Sequence, residues 1–188
     1  MSDQTDFNAR PPDLDSSFPE TPMRIRNETA ADVDAIGRVT TDAFGDMAIS
    51  NHTEQHIIAA LRRAGALTVS LVAELDGEVV GHVAISPVRI SDGSPGWYGL
   101  GPLSVLPEHQ GKGIGSALMR EGLERLKALG GRGCALVGSP GYYRRFGFRN
   151  IPALVHEGIP QEVFLALPFG EEAPSGIVTF HEGFQAVA

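Results

Sequence analysis

A glycine-rich hinge in the middle of the chain constrains its fold more than any other feature. Residues 110–116 read QGKGIGS; the apolar run WYGLGPLSV precedes them and the helix-like segment ALMREGLERLKALGG follows. Glycines at alternate positions leave no Cβ in the way of a molecule that approaches the backbone. The unpaired N–H groups at the start of a helix carry a partial positive charge. The hinge therefore predicts a cradle for a phosphate-bearing ligand.

The spacing of this hinge argues against two common phosphate-binding motifs. A P-loop needs GxxxxGK[ST], but Lys112 lies between two glycines and no serine or threonine follows it directly. A dinucleotide-binding turn needs GxGxxG, and here Ser116 stands where the third glycine should be. That turn also follows the opening strand of a βαβ unit, whereas this hinge follows several strand-like segments. The spacing therefore favours neither ligand class.

The segments before the hinge predict a strand, two helices and a strand meander. Thr29 and Asp32 form a capping-box pattern ahead of apolar residues at helical spacing, and a second helix is predicted from residue 53. Asp76 and Gly77 separate two runs rich in β-branched residues, which is a strong hairpin signal. The predicted strands are residues 23–27, 67–75, 78–86 and 97–105.

The segments after the hinge predict one long helix, one brief helix and three strands. Apolar positions from residue 115 onward share one helix face, and Gly130 and Gly131 end that helix. The stretch SPGYYRRFGF predicts a brief helix that ends at Gly147. The predicted strands are residues 133–138, 163–167 and 177–180.

Composition predicts one folded domain with a separate tail. The chain has 188 residues, 42% of them apolar, which is enough for one core. Residues 1–22 hold five acids, one arginine and four prolines, so a flexible tail is predicted before a domain at residues 23–188. A net charge of −8 without a basic stripe argues against nucleic-acid partners. No apolar run of about 18 residues and no signal-peptide pattern occurs, which predicts a cytoplasmic protein without a membrane partner.

Two motifs together point to a family. QxxGxG begins at Gln110, and YxxxGF begins at Tyr143. With the order of predicted elements, they resemble the GNAT superfamily of N-acetyltransferases over most of residues 23–188, and within it the YhbS-like branch. The resemblance implies the α/β (α+β) GNAT acyltransferase fold, which has a central mixed, mostly antiparallel sheet of six to seven strands flanked by about four helices.

The resemblance also implies acetyl-CoA as the cofactor and an amine as the acceptor. In the family, the hinge holds the diphosphate of coenzyme A, and the preceding strand pairs through its backbone with the pantetheine arm. A tyrosine at the position of Tyr143 stabilises or protonates the departing thiolate. The residues implied to bind the cofactor are Leu103, Ser104, Val105, Gln110, Gly111, Lys112, Gly113, Ile114, Gly115, Ser116 and Ser139.

The strand before the hinge is irregular and lacks an acid. Gly99, Gly101 and Pro102 predict a bulge near Leu103, which would free N–H and C=O groups. Many family members use a glutamate on this strand to deprotonate the amine, yet residues 97–105 contain none. A water chain remains an option. The other candidates for the base are Asp42, Asp46, His52, Glu54, His82 and His109.

The function predicted from these features is direct transfer of an acetyl group from acetyl-CoA to an amine in a ternary complex. A non-catalytic sensor or interaction module that binds CoA is the alternative. In the family the acceptor pocket is built by segments that correspond to residues 45–51 and 168–176, and the acceptor is left open between small-molecule, peptide and protein amines. Monomer and homodimer also remain open. Cys134 is predicted to be buried without a role, and no metal site is predicted because His52 and His56 lack a third ligand.

Overall fold

The structure is a computed structural model that describes residues 22–45 and 52–187. The predicted tail up to residue 21 and the predicted loop beyond Gly45, which includes Asp46, lie outside these residues. The strands are β1 (Arg24–Asn27), β2 (Val69–Leu75), β3 (Glu78–Pro87), β4 (Arg89–Ile90), β5 (Trp97–Val105), β6 (Gly133–Val137), β7 (Leu154–Val155), β8 (Phe164–Pro168) and β9 (Gly176–Thr179). The helices are α1 (Val33–Phe44), α2 (Glu54–Arg63), α3 (Ile114–Ala128) and α4 (Pro140–Tyr143).

A six-stranded sheet in the order β1-β2-β3-β5-β6-β8 forms the centre of the fold. Every neighbouring pair is antiparallel except β5 and β6, which are parallel. The predicted mixed, mostly antiparallel sheet with four helices is therefore confirmed. The hairpin between β2 and β3 is also confirmed, because Asp76 and Gly77 have φ of 51° and 83°, the left-handed values that its tight turn needs.

The two faces of this sheet bury different helices. On one face, α3 packs Leu118, Met119 and Leu126 onto apolar residues of β2 and β3. On the other face, α1 and α2 contribute Ile36 and Ile58. Successive residues of a strand point to opposite faces, so β2 and β3 supply both cores. Among the described residues, no helix is long and apolar enough to cross a bilayer.

A second sheet of three short strands, in the order β4-β9-β7, packs beside β5 and β6. The strand β9 was predicted but its two partners were not, since a two-residue strand has no alternation to recognise. Phe180, which follows β9, lies where a side chain at Gly99 of β5 would be: a Cβ there would be 2.5 Å from the ring. Gly99 is therefore required by the packing of the two sheets. Cys134 of β6 is fully buried, as predicted.

An ion pair fixes the junction between β1 and α1. Arg26 donates two hydrogen bonds to the Asp32 carboxylate, at 2.7 and 2.9 Å, and a third to Glu74 at 2.9 Å. Asp32 also accepts from the backbone N–H of Thr29 at 2.7 Å, which is the predicted capping contact. The hydrogen bonds from Arg26 lower the pKa of Asp32 below its ordinary value of 3.8, although burial opposes the shift.

We expect Asp32→Asn to lower the free energy of unfolding at pH 7 by about 2 kcal/mol, because it removes the charge that Arg26 binds. The folded pKa lies below the unfolded value, so the carboxylate stabilises the fold above about pH 3.8 and this contribution is lost as the pH falls further. Denaturant titrations between pH 7 and pH 3 test this. The exposed Asp34 provides the control, because Asp34→Asn should change stability by less than about 0.5 kcal/mol. Equal stability of both variants at pH 7 would contradict the assignment.

Candidate active site

The hinge presents a run of unpaired backbone donors at the start of α3. Gly111 and Gly113 have φ of 74° and 88°, left-handed values that favour glycine. Within the described part of the chain, the N–H groups of residues 111–116 donate to no backbone acceptor, and the first such bond runs from Ala117 to the Gly113 carbonyl. Successive free N–H groups at a helix start suit an anion such as a diphosphate.

The side chains of the hinge have separate roles. Gln110 donates from Nε2 to the carbonyl of Val105 at 3.0 Å, so it ties the hinge to the end of β5. Ile114 is buried in the core beneath α3 and anchors the first helical turn. Lys112 is exposed, and Ser116 is half-buried on the same first turn. Gln110 and Ile114 therefore fix the hinge to β5 and to the core, while its backbone N–H groups and Lys112 remain accessible.

The strands β5 and β6 diverge immediately beside this hinge. They pair in parallel only from Trp97 to Gly99, opposite residues 133–135. Leu136 and Val137 then pair with β8 alone, and the side chain of Val137 is 44% exposed. Alternate peptide groups of β5 beyond Gly99 face the opening, because those on β6 no longer reach them. An extended chain could pair with this free edge of β5.

The predicted bulge in β5 is present. Val83 of β3 lies opposite Leu103, but Ile85, two residues on, lies opposite Leu100, so β5 contains one extra residue. Leu103 and Val105 are half-buried along the opening. Ser104 instead turns its side chain to the α1 face, where its hydroxyl lies 3.2 Å from that of Thr40. Of Ser104, only the backbone can face the opening.

The brief helix α4 closes the far side of the opening. Exposed Ser139 precedes it, and its carbonyl accepts from the N–H groups of Tyr142 and Tyr143. The ring of Tyr143 lies against Gly138, with no space for a Cβ there, and meets Phe148 edge-on at 6.2 Å between centroids. Burial raises the pKa of Tyr143 to about 12, so its hydroxyl stays protonated at neutral pH. That hydroxyl makes no hydrogen bond within the described residues.

Tyr142, the neighbour of Tyr143 on α4, reaches the hinge. A Cβ at Gly115 would lie 2.9 Å from the Tyr142 hydroxyl. Arg145 stacks over the Tyr142 ring at 4.6 Å, and Arg120 of α3 lies 5.7 Å from the ring of Phe146. With Lys112, these side chains place cations around the hinge of an otherwise acidic protein. No sequence pattern marked this cluster, because it depends on how α4 folds back onto α3.

The predicted candidates for the base differ in their burial and in their position relative to β5. Asp42 on α1 and His52 are exposed, and His109 and Glu54 are half-buried. His82 differs from them, because it is fully buried on β3, directly opposite Ser104 of β5. Among the candidates on described residues, His82 is therefore the one on the strand that pairs with β5, along the edge opposite the free one.

A second concavity, of about 610 Å³, lies between α1 and α2. Its charged lining is mixed, with Asp34 and Asp42 beside Arg38 and Arg62. It contains neither the hinge nor the diverging edges of β5 and β6. The backbone donors of the hinge suit a diphosphate joined to an extended arm better than this concavity does, because the positive and negative charges of its lining balance.

Comparison with known proteins identifies the family. Residues 38–148 match the model of the acetyltransferase (GNAT) family. The chain belongs to this family, as its two motifs indicated. It is 36% identical over 127 residues to the uncharacterised N-acetyltransferase YhbS of Escherichia coli K12, covering 67% of this chain and 73% of that protein.

Two solved structures share the fold over most of the chain. A GNAT family acetyltransferase from Brucella melitensis, in complex with acetyl-CoA, is 50% identical with a TM-score of 0.78, covering 87% of this chain and 98% of that one. YhbS from Escherichia coli, in complex with CoA, is 29% identical with a TM-score of 0.81, covering 88% and 93%. The predicted GNAT fold is confirmed.

We expect the high pKa of Tyr143 to be visible in a spectrophotometric titration. The absorbance difference between wild type and Tyr143→Phe should titrate with a midpoint of about 12, because burial disfavours the phenolate. Circular dichroism at each pH verifies that both proteins stay folded. A midpoint near 10, the ordinary value for tyrosine, would show that the ring is not packed against its neighbours as the structure describes.

Proposed function

We propose that this protein is an N-acetyltransferase that moves the acetyl group of acetyl-CoA to an amine. The observation that carries the proposal is the position of the hinge: its free N–H groups open directly beside the unpaired edge of β5. A diphosphate joined to an extended arm that ends in a thioester matches these two features in this order. The acetyl-CoA and CoA complexes of the two similar proteins support the same ligand.

In this proposal the hinge binds the diphosphate and β5 binds the arm. The N–H groups of residues 111–116 donate to the phosphate oxygens, and Lys112 and Arg145 add positive charge nearby. The backbone of Leu103 and Val105 pairs with the amides of the pantetheine arm as a strand would. A freed N–H of β5 polarises the thioester carbonyl, which increases its reactivity toward an amine.

Tyr143 is the proposed acid for the leaving group. The amine nitrogen attacks the thioester carbon, a C–N bond forms, and the C–S bond breaks. The Tyr143 hydroxyl donates its proton to the departing sulfur, so that a thiol leaves rather than a thiolate. A phenol with a raised pKa is fully protonated before the reaction, as this role requires. The acceptor is an amine, and the choice between small-molecule, peptide and protein amines is left open.

One observation favours a second function, which is binding of CoA without catalysis. The strand β5 carries no acid, and the ring of Phe180 fills the space where a side chain at Gly99 would lie. A protein that had lost its base could still bind the coenzyme as a sensor or interaction module. Consumption of the thioester with a broad panel of amines distinguishes the two, because a sensor binds acetyl-CoA without turning it over.

We expect acetyl-CoA to stabilise the folded protein far more than NAD or ATP. A ligand at 100 times its dissociation constant adds about 2.7 kcal/mol to the free energy of unfolding, which is easily seen as a shift in melting temperature. NAD and ATP carry diphosphates but no pantetheine arm, so they test whether the arm contributes. Equal shifts with all three ligands would contradict the proposed pairing with β5.

The two adjacent tyrosines provide a matched test of the chemistry. Tyr143→Phe should lower kcat by about 10²-fold and leave the KM for acetyl-CoA unchanged, because the hydroxyl acts on the leaving group. Tyr142→Phe should change mainly the KM for acetyl-CoA, since its hydroxyl lies at the hinge. Steady-state kinetics with the best amine of the panel measure both. The reverse pattern would assign the acid to Tyr142.

A further inference from the structure

A buried polar cluster on the α1 and α2 face of the sheet contains an acceptor without a donor. His82 is fully buried in β3, and its Nδ1 has no hydrogen-bond partner among the described residues. Its Nε2 lies 2.8 Å from the Ser70 hydroxyl and 3.5 Å from a Glu28 oxygen. Buried polar atoms in folded proteins are almost always paired, so the exception at Nδ1 requires an explanation.

The neighbours of His82 fix its tautomer. Arg62 donates two hydrogen bonds to Glu28, at 2.8 and 2.7 Å, which keeps that carboxylate ionised. Ser70 donates its only hydroxyl proton to Glu28 at 2.5 Å, so toward His82 the same oxygen can only accept. Nε2 must therefore carry the proton, and Nδ1 presents a bare lone pair.

Ser104, on the next strand, likewise accepts no hydrogen bond among the described residues. Thr40 donates its hydroxyl proton to the Ile36 carbonyl at 2.8 Å, so Ser104 must be the donor in the contact between Ser104 and Thr40. Both lone pairs of Ser104 Oγ lack a donor among the described residues. His82 and Ser104 are directly opposite in the register of β3 and β5, and opposite residues point to the same face. His82 Nδ1 and Ser104 Oγ are therefore neighbouring acceptors without a donor, and a water or an amine could supply one.

We propose that His82 accepts the proton of the attacking amine through a water held between His82 Nδ1 and Ser104 Oγ. This rests on the proposed acetyl transfer. As the amine nitrogen bonds to the thioester carbon, its proton passes to the water, and a proton of the water passes to Nδ1. The imidazolium that forms keeps its Nε2 proton toward Ser70 and Glu28, and the carboxylate offsets its charge. The imidazolium later releases this proton to solvent. Tyr143 supplies the proton for the sulfur, and the phenolate that results takes a proton back from solvent.

The surroundings of His82 suit a base at neutral pH. Burial lowers the pKa of His82 from its ordinary value of 6.5, and Glu28 raises it by less, so the ring is neutral and able to accept a proton. Among the described elements packed against this face, Glu28 before α1 and Arg62 of α2 are the charged groups that interact with it. Thr40 of α1, Ser70 of β2 and Ser104 of β5 are polar and uncharged.

The first test is kinetic, with the best amine from the panel. His82→Gln can still donate to Ser70 but cannot take up a proton, so kcat should fall by about 10²-fold or more while the KM for acetyl-CoA stays unchanged. The wild-type rate should decrease at acidic pH with a midpoint below 6.5, and the rate of the variant should not show this decrease. His56→Gln, a matched histidine substitution on α2, should leave both the rate and its decrease at acidic pH unchanged. A His82→Gln rate within threefold of wild type would overturn the proposal, and so would an unchanged decrease of the variant's rate at acidic pH.

The second test needs neither an acceptor nor a stable variant. Imidazole ¹⁵N chemical shifts of the folded wild-type protein at pH 7 should show the tautomer protonated at Nε2 for the most buried histidine. An Nδ1-protonated or doubly protonated ring would overturn the proposal. If wild type turns over no amine, the proposed function fails and this inference fails with it. If wild type is active and His82→Gln matches it, only the inference fails.

Discussion

The separation of β5 from β6 is the constraint on which the rest of the structure depends. Two parallel strands that pair for three residues and then part leave backbone groups of β5 without a partner, and such groups are costly unless something pairs with them. The bulge between Leu100 and Leu103 and the glycines of the hinge extend this unpaired region to the start of α3. The result is a continuous run of backbone donors and acceptors in one cleft, which selects a long ligand rather than a compact one.

The two faces of the sheet contribute differently to this cleft. The apolar contacts of α3, through Leu118 and Leu126, hold the hinge rigidly on β2 and β3. The opposite face carries the ionic and hydroxyl cluster that joins Glu28, Arg62 and His82. Such a cluster is costly to bury and gives little stability, so its position next to β5 favours a chemical role over a purely structural one. The sheet thus lies between the apolar layer of α3 and a face on which α1 and α2 combine an apolar core with this polar cluster.

Much of the fold was predictable from the sequence, because its signals are local. The hinge glycines, the Asp76–Gly77 turn and the capping pattern at Thr29 each depend on neighbouring residues and are found as expected. The second sheet was not predicted, since β4 and β7 have two residues each. The orientation of Tyr142 and the partners of His82 were not predicted either. Those contacts join residues far apart in sequence, and nothing in a local pattern encodes them.

A crystal structure with bound acetyl-CoA tests the central claim most directly. The account predicts diphosphate density within hydrogen-bond distance of the N–H groups of residues 111–116, with the pantetheine arm beside Leu103 and Val105 and the sulfur next to the Tyr143 hydroxyl. Diphosphate density in the concavity between α1 and α2, or an arm that leaves the free edge of β5 unpaired, would contradict it.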